Sequence, residues 1–405
     1  MVISVVVTER VTSSFLTNDD AIKNIYTLTT GAIDATITAQ RTKEVIDKEI
    51  ADTNKRAILI NPQNEVKGNG IFKGLSNNYK NIITAITSNQ SNANVFIINN
   101  QANAGETVKT LDVAIAESVE SLMTSDIDVG ILLAPGFENI SGSADDDITT
   151  FNKIEALCQS KKMMFFFDVK TGTAATPSEI ITAAKAHASR FTSARGHSSC
   201  FIGDVRYKSG TTTYLVPLSA IAAAIALKAT EEGVEIPPAG VNFPILNETG
   251  GLVTREELSP YFYTEGNLKA LWDAKINLAQ SIPKYGVVLW SSVTLSQENM
   301  FLYINTRAII NRVTKQLEEA LLPFLLGPFD PRGETTEQVK LTITSVLERA
   351  YNNNYLNGAT SADAYRIVEL PPKDNKITIQ VYATFVGTTK EIEVFLYITR
   401  PGEIQ

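Results

Sequence analysis

The sequence predicts an α/β protein, α+β over the whole chain. A central sheet of parallel type carries flanking helices, C-terminal helices and strands follow, and extended arms lie at both ends. Three observations carry this. Residues 95–235 alternate short apolar runs with stretches long enough for helices, the pattern of right-handed strand–helix–strand crossovers. After Gly286 come two long segments of helical period, separated by Gly327-Pro-Phe-Asp-Pro-Arg332. After Gly358 the period changes to two, which is that of half-buried strands.

The chain starts with a β-branched strand, Val2–Thr8, and a polar stretch, Thr12–Asp20. One reading is an edge strand of the nearest sheet; the other is an arm over 1–26 that pairs with another chain. Residues 27–94 read as a small α+β insert, with a strand at Ala32–Thr38, a helix at Thr42–Ala51, a short strand at Ala57–Ile60 and a weak helix at Leu75–Ser88.

The α/β domain spans 95–285. Its expected strands are Val95–Asn99, Val129–Ala134, Met163–Val169 and Ser199–Gly203. Helices are expected near Thr107–Met123, Asp147–Ser160 and Pro177–Arg190. An alanine-rich helix runs from Ala220 to Glu232, where small side chains permit close packing, and Leu268–Ile282 reads as a further helix.

Residues 286–386 form a C-terminal core. The first helix, Tyr303–Leu322, has an apolar stripe of Ile310, Val313, Leu317 and Leu321, with Arg312, Lys315 and Glu319 as a charged face about half a turn away. Pro328 and Pro331 lack the N–H groups that would continue it. The second helix, Thr335–Tyr351, has the stripe Val339, Ile343, Val346 and Ala350. Strands follow at Tyr365–Leu370 and through Ile377, Ile379, Val381, Ala383 and Phe385. The last segment, 387–405, contains an alternating strand with Ile392, Val394, Leu396 and Ile398 on one face.

Bulk properties exclude several functions. A chain of 405 residues suffices for two or three domains, and its 44% hydrophobic content for a sizeable core. The formal net charge of -8 argues against a nucleic-acid binder. No apolar run approaches the roughly 20 residues of a membrane span. The first residues lack a basic signal-peptide region, so cytoplasmic synthesis is expected. Cys158 and Cys200 read as core thiols and make no disulfide framework.

Parallel sheets often bind nucleotides at their carboxyl edge, yet Ala134-Pro-Gly-Phe137 is not a phosphate loop, and Lys170-Thr-Gly-Thr173 lacks a glycine-rich lead-in. Both read as plain turns. Asp126, Asp128 and Asp145–Asp147 raise a metal site, but Asp145–Asp147 precedes a helix, where carboxylates serve capping and the macrodipole. His187 and His197 are the only histidines, which rules out a histidine-rich metal centre. Ser198 and Ser199 follow His197, and nearness in sequence makes no triad. Asp168, at a strand end, is the best single candidate for an active carboxylate and has no partner visible in the sequence. No catalytic residue, cofactor or metal ligand is assigned.

The order of motifs resembles the contractile tail sheath proteins of myophage tails, R-type pyocins and related injection machines. The matching stretches are Asp128-Val-Gly-Ile-Leu-Leu-Ala-Pro-Gly136, Ala156-Leu-Cys to Phe167-Asp168, Val216-Pro-Leu-Ser-Ala220 with Pro237-Pro-Ala-Gly-Val-Asn242, Ala274-Lys-Ile-Asn277 with Val288-Leu-Trp290, Tyr303-Ile-Asn-Thr-Arg307, Pro328-Phe-Asp330 and Pro401-Gly-Glu-Ile404. They cover Asp128–Ile404, and residues 1–95 carry no such signature. The resemblance implies a structural subunit, not an enzyme, that polymerises as a helical homo-oligomer around an inner tail tube and contracts to drive that tube through a target cell envelope. Its implied partners are the tube, baseplate and tail terminator proteins, with no direct nucleic acid and no membrane insertion. It implies a place in a phage virion or tail-like particle assembled in the host cytoplasm. The strands carrying Val5, Val7, Ile392, Val394, Leu396 and Ile398 become expected links between subunits, and Arg312 and Lys315 expected contacts to the tube. The competing reading is an α/β nucleotide-binding protein or enzyme, supported by the alternating middle of the chain.

Overall fold

The computed structural model describes residues 24–29, 57–60, 77–99, 110–124, 130–140, 146–172, 176–209, 211–254, 265–325, 333–373 and 376–387. Its centre is a sheet of β1 (Asn24–Thr29), β2 (Ala57–Ile60), β3 (Asn94–Asn99), β4 (Gly130–Leu133), β5 (Met164–Asp168), β6 (Ser198–Phe201) and β9 (Ile276–Asn277), in the order β2-β3-β1-β4-β5-β6-β9. Every neighbouring pair is parallel except β2 with β3. β4 and β5 are apolar runs buried along nearly their whole length, as strands covered on both faces must be.

Side chains alternate across the sheet and divide the core in two. On one face Ile131, Leu133, Met164, Phe166 and Phe201 meet α1 (Asn77–Asn89), α5 (Leu218–Glu232) and an antiparallel ribbon of β7 (Asp204–Ser209) and β8 (Thr212–Pro217). On the other, Leu132, Phe165, Phe167 and Cys200 meet α2 (Leu111–Thr124), α3 (Asp146–Lys161), α4 (Pro177–Ala188) and α6 (Glu265–Asp273). The alanine helix α5 is buried around almost its whole circumference, Ala220, Ala222–Ala224 and Ala226 included, so its backbone can approach the sheet closely. The start of α4 follows from its sequence: Thr176 and Glu179 form a reciprocal capping box around Pro177.

Two expectations need correction. Leu268–Ile282 is not one helix: α6 ends at Asp273, Lys275 takes a left-handed φ of 61°, and the chain then extends through β9 and β10 (Ala279–Ile282) into β11 (Gly286–Leu289). Pairing of β9 with β6 overrides helical propensity, because it buries Ile276 and Leu278 completely or nearly so. The described parts of 27–94 do not form an insert of their own: β1 and β2 are strands of the central sheet, and α1 packs on α5. Residues 24–26, expected in the N-terminal arm, are instead the start of β1 in the central sheet. The expected elements at Ala32–Thr38 and Thr42–Ala51, residues 1–23 and residues 388–405 lie outside the described residues.

The C-terminal part contains α7 (Ile304–Leu321), α8 (Glu334–Asn352), the short α9 (Ser361–Ala364) and the antiparallel hairpin β12 (Tyr365–Lys373) and β13 (Lys376–Ala383). On α8, Val339, Ile343, Val346 and Ala350 are all buried. On α7, Val313 and Leu321 are buried and Ile310 and Leu317 half-buried. This lobe has no separate interior: Ile304, Ile309, Val313, Ile343 and Leu347 belong to the same apolar cluster as α1, α5 and one face of the sheet.

Candidate functional site

Among the described residues, the carboxyl ends of β4 and β5, where α/β proteins bind ligands, are occupied by the chain's own groups. After β4, Gly136 takes a left-handed φ of 90° and drops Phe137 into the interior. There Phe137 packs at 5.6, 5.2 and 5.6 Å on the rings of Phe165, Phe167 and Phe191. After β5, Asp168 faces the start of α5. That helix begins after Pro217, which has no capping side chain. The Asp168 carboxylate supplies the missing acceptor, taking the Ser219 N–H at 3.1 Å and the Ser219 hydroxyl on its two oxygens. Burial first, then the nearby Glu138 carboxylate, pushes Asp168 well above the usual carboxylate range. The N-terminus of α5 is therefore already filled by the Asp168 side chain. Asp168 has a partner that sequence reading missed, because Ser219 lies fifty-one positions away.

The remaining candidates are structural. Asp147 sits in the first turn of α3, accepts the Ile148 N–H at 2.8 Å and holds Arg190 through both oxygens at 2.6 and 2.7 Å. It thus satisfies a free N–H of the first turn from within the helix and ties α3 to Arg190. Asp126, Asp128 and Asp145 lie outside the described residues, and among the described residues no cluster of histidine, cysteine and carboxylate groups could hold a metal. His187 Nδ1 accepts the Lys170 N–H at 3.2 Å, and burial pushes the ring down to about 4. His197 Nδ1 meets the Met163 carbonyl at 3.0 Å, and burial pushes it down to about 3. Ser198 donates to Glu155 and not to a histidine, beside Ser193, which donates to the same carboxylate at 2.5 Å. Ser198 and Ser199 are buried, so neither is open to a substrate. Cys158 and Cys200 are free, buried thiols held protonated by desolvation.

What the structure does assemble is a polar seam that ties α7 to the α/β body. Lys162, in a left-handed turn (φ 55°) after α3, meets Glu318 of α7 at 3.1 Å, with side chains 5% and 4% exposed. Desolvation lowers Lys162 to about 8 and raises Glu318 to about 7. Arg307 donates to the Arg195 carbonyl at 3.1 Å and to Asn311 Oδ1 at 2.9 Å, with its guanidinium 5.6 Å from the Phe301 ring. Burial, then the charge of Arg195, lowers it to about 10. Asn305 reaches the Glu235 carbonyl at 2.9 Å and Thr306 the Val386 carbonyl at 3.2 Å. In the 274–290 region, Asn277 bonds the carbonyls of Cys200 and Val293 and accepts the Val293 N–H. Thus the polar residues of Tyr303-Ile-Asn-Thr-Arg307 point inward, each to a different segment.

Of the two residues expected to face a tube, Lys315 is half-buried and pairs with Glu319 at 3.9 Å. Arg312 does not stand on a fully solvated face: it is half-buried, its guanidinium lies 5.4 Å from the Tyr355 ring, and burial lowers its pKa. The β12–β13 hairpin packs Ile367, Ile379 and Val381 inward and pairs with no further strand among the described residues. Val5, Val7, Ile392, Val394, Leu396 and Ile398 lie outside those residues.

No family model and no curated protein matches the chain. Solved structures do. The baseplate of the anti-feeding prophage, six-fold symmetrised, contains a chain with 16% identity and a TM-score of 0.64, over 96% of this chain and 99% of that one. The sheath complex of an extracellular contractile injection system, PVC, in the contracted state, contains one with 17% identity and a TM-score of 0.64, over 97% and 98%. The helical sheath of the anti-feeding prophage in the contracted state contains one with 15% identity and a TM-score of 0.64, over 98% and 97%. The fold is that of contractile sheath proteins.

Proposed function

We propose that this chain is the structural subunit of a contractile sheath: it polymerises helically around an inner tube and, on contraction, drives that tube through a target cell envelope. The observation that supports this most is length. The likeness to sheath chains runs over nearly the whole of both partners, which supports a sheath role for the body as a whole. Asp168 weighs against a phosphate at the start of α5, since its side chain already takes the Ser219 N–H there.

The finer parts of the proposal follow from the sequence. Terminal strands carrying Val5 and Val7, or Ile392, Val394, Leu396 and Ile398, would add to the open edges of the β12–β13 hairpin of other copies. Such tethers keep copies linked while their bodies move. Lys315 is our candidate for a tube contact, with Arg312 behind it on Tyr355. The further partners would be baseplate and terminator proteins, in a phage tail or tail-like particle. No nucleotide is required if the energy is stored in assembly.

The test is negative-stain electron microscopy of the purified chain, intact and lacking Glu391–Gln405. Hollow tubes from the intact chain, lost on truncation, are the expected result. A monomer in both cases, with a tube protein present and across salt conditions, would overturn the proposal.

A further inference from the structure

The β7–β8 ribbon has one buried and one open face. Val205, Tyr207 and Val216 point into the core, Tyr207 and Tyr214 stack at 5.7 Å, and the Tyr207 hydroxyl bonds the Leu246 carbonyl at 2.9 Å. The opposite face presents Arg206, Lys208, Thr213 and Leu215, with Arg206 directly across from Leu215 and Lys208 across from Thr213. Leu215 is 47% exposed. Asp204 shares this face but sits half-buried at the base of the ribbon, so the face turns basic toward its tip. Arg206 and Lys208 make no ion pair with any described residue.

On the other side of the central sheet, α2 and α3 enclose a groove with the complementary character. Asp112, Glu117, Glu120 and Asp146 line it, with Lys153 as the one cation among its described lining residues. Val113, 44% exposed, supplies an apolar spot among the carboxylates. The ribbon packs on one face of the sheet and α2 and α3 on the other, so no chain can bring its own ribbon to its own groove.

We propose that the open face of the β7–β8 ribbon docks in the α2–α3 groove of a second copy, Leu215 against Val113 and Arg206 and Lys208 against the carboxylates. Because each copy keeps a groove on one side and a ribbon on the other, the contact is heterologous and propagates without closing. Opposed charges fix register and speed encounter. This rests on the sheath reading and names one contact within it.

The experiment uses three full-length proteins: the natural chain, the ribbon variant Arg206→Glu/Lys208→Glu, and the groove variant Asp112→Lys/Glu120→Lys. Each is checked for native circular dichroism, then scored for assembly by sedimentation and electron microscopy. Either variant alone is expected to lose at least about ten-fold in assembled fraction, on the order of 1.4 kcal/mol per contact. An equimolar mixture of the two is expected to regain assembly, because each reversed ribbon then meets a reversed groove. Added salt should weaken assembly of the natural chain. Undiminished assembly of the folded ribbon variant would overturn the contact, as would a mixture of folded variants that stays dispersed while the natural chain assembles. A natural chain that never assembles would instead overturn the sheath reading, and this contact with it.

Discussion

At the scale of single residues, close approach and buried ionisation decide most. Gly196 has a left-handed φ of 71°, and a Cβ there would lie 2.5 Å from the Phe301 carbonyl oxygen and 3.0 Å from Thr294 Oγ1. Both neighbours are anchored, since Thr294 itself donates to that carbonyl at 2.6 Å. Gly196→Ala is expected to cost about 2–3 kcal/mol, measured by urea unfolding; a loss within experimental error would refute the tight contact. His187 provides a pH test. Its pKa in the fold is pushed down to about 4, while in the unfolded chain it titrates near the ordinary value of about 6.5. Between those values the unfolded chain holds the extra proton, so stability falls as the pH falls. The slope is about 1.4 kcal/mol per pH unit from this group. His187→Gln keeps an acceptor for the Lys170 N–H and cannot titrate. Its stability curve should lack that component of slope between pH of about 6 and about 4.5, and curves parallel to the natural chain would contradict the assignment.

Helix α7 shows what is added at the scale of an element. Its stripe was legible from sequence in part, because apolar spacing reports which side meets a core: Val313 and Leu321 are buried, Ile310 and Leu317 half-buried, and the buried Ile304 and Ile309 lie outside the expected stripe. Its polar residues were not, because Asn305, Thr306, Arg307, Asn311 and Glu318 are buried only by segments distant in sequence. The Lys162–Glu318 pair illustrates the consequence. Both groups are desolvated, and desolvation is the largest influence on each. The pair therefore specifies how α7 sits on the body more than it stabilises it. Lys162→Met or Glu318→Leu alone is expected to cost about 3–5 kcal/mol, by removing the oppositely charged neighbour of a buried group, whereas the double replacement should lie near the natural stability. Additive losses in the double variant, read from denaturant midpoints, would show that the two groups do not act as a pair.

At the scale of the whole molecule, the shared apolar cluster binds the C-terminal lobe to the α/β body. Val287, Leu289, Ile304 and Ile343 belong to the same interior as Ile82, Ile131 and Ile221. One cooperative transition is therefore expected. The two tryptophans, Trp272 and Trp290, report on the region where α6 and β11 join the lobes, and far-ultraviolet circular dichroism reports on the whole. Their unfolding curves should coincide. A resolved earlier transition in the tryptophan signal would mean that the lobes separate before the body unfolds.

By itself the sequence determined the alternating order of strands and helices through 95–235, the two C-terminal helices with their stripes and the hairpin after Gly358. Each of these rests on local periodicity or on a contiguous motif, and local information suffices for them. Only the tertiary structure decided that Asn24–Thr29 lies between β3 and β4, that Ile276–Asn277 is a sheet strand, and that Asp168 caps a helix through Ser219. It alone placed Arg312 on Tyr355 and put a basic ribbon and an acidic groove on opposite faces of one sheet. These arise from pairings between residues far apart in the chain, where burial and hydrogen bonding outweigh the weak propensities of short segments. Spacing along the sequence carries no record of them.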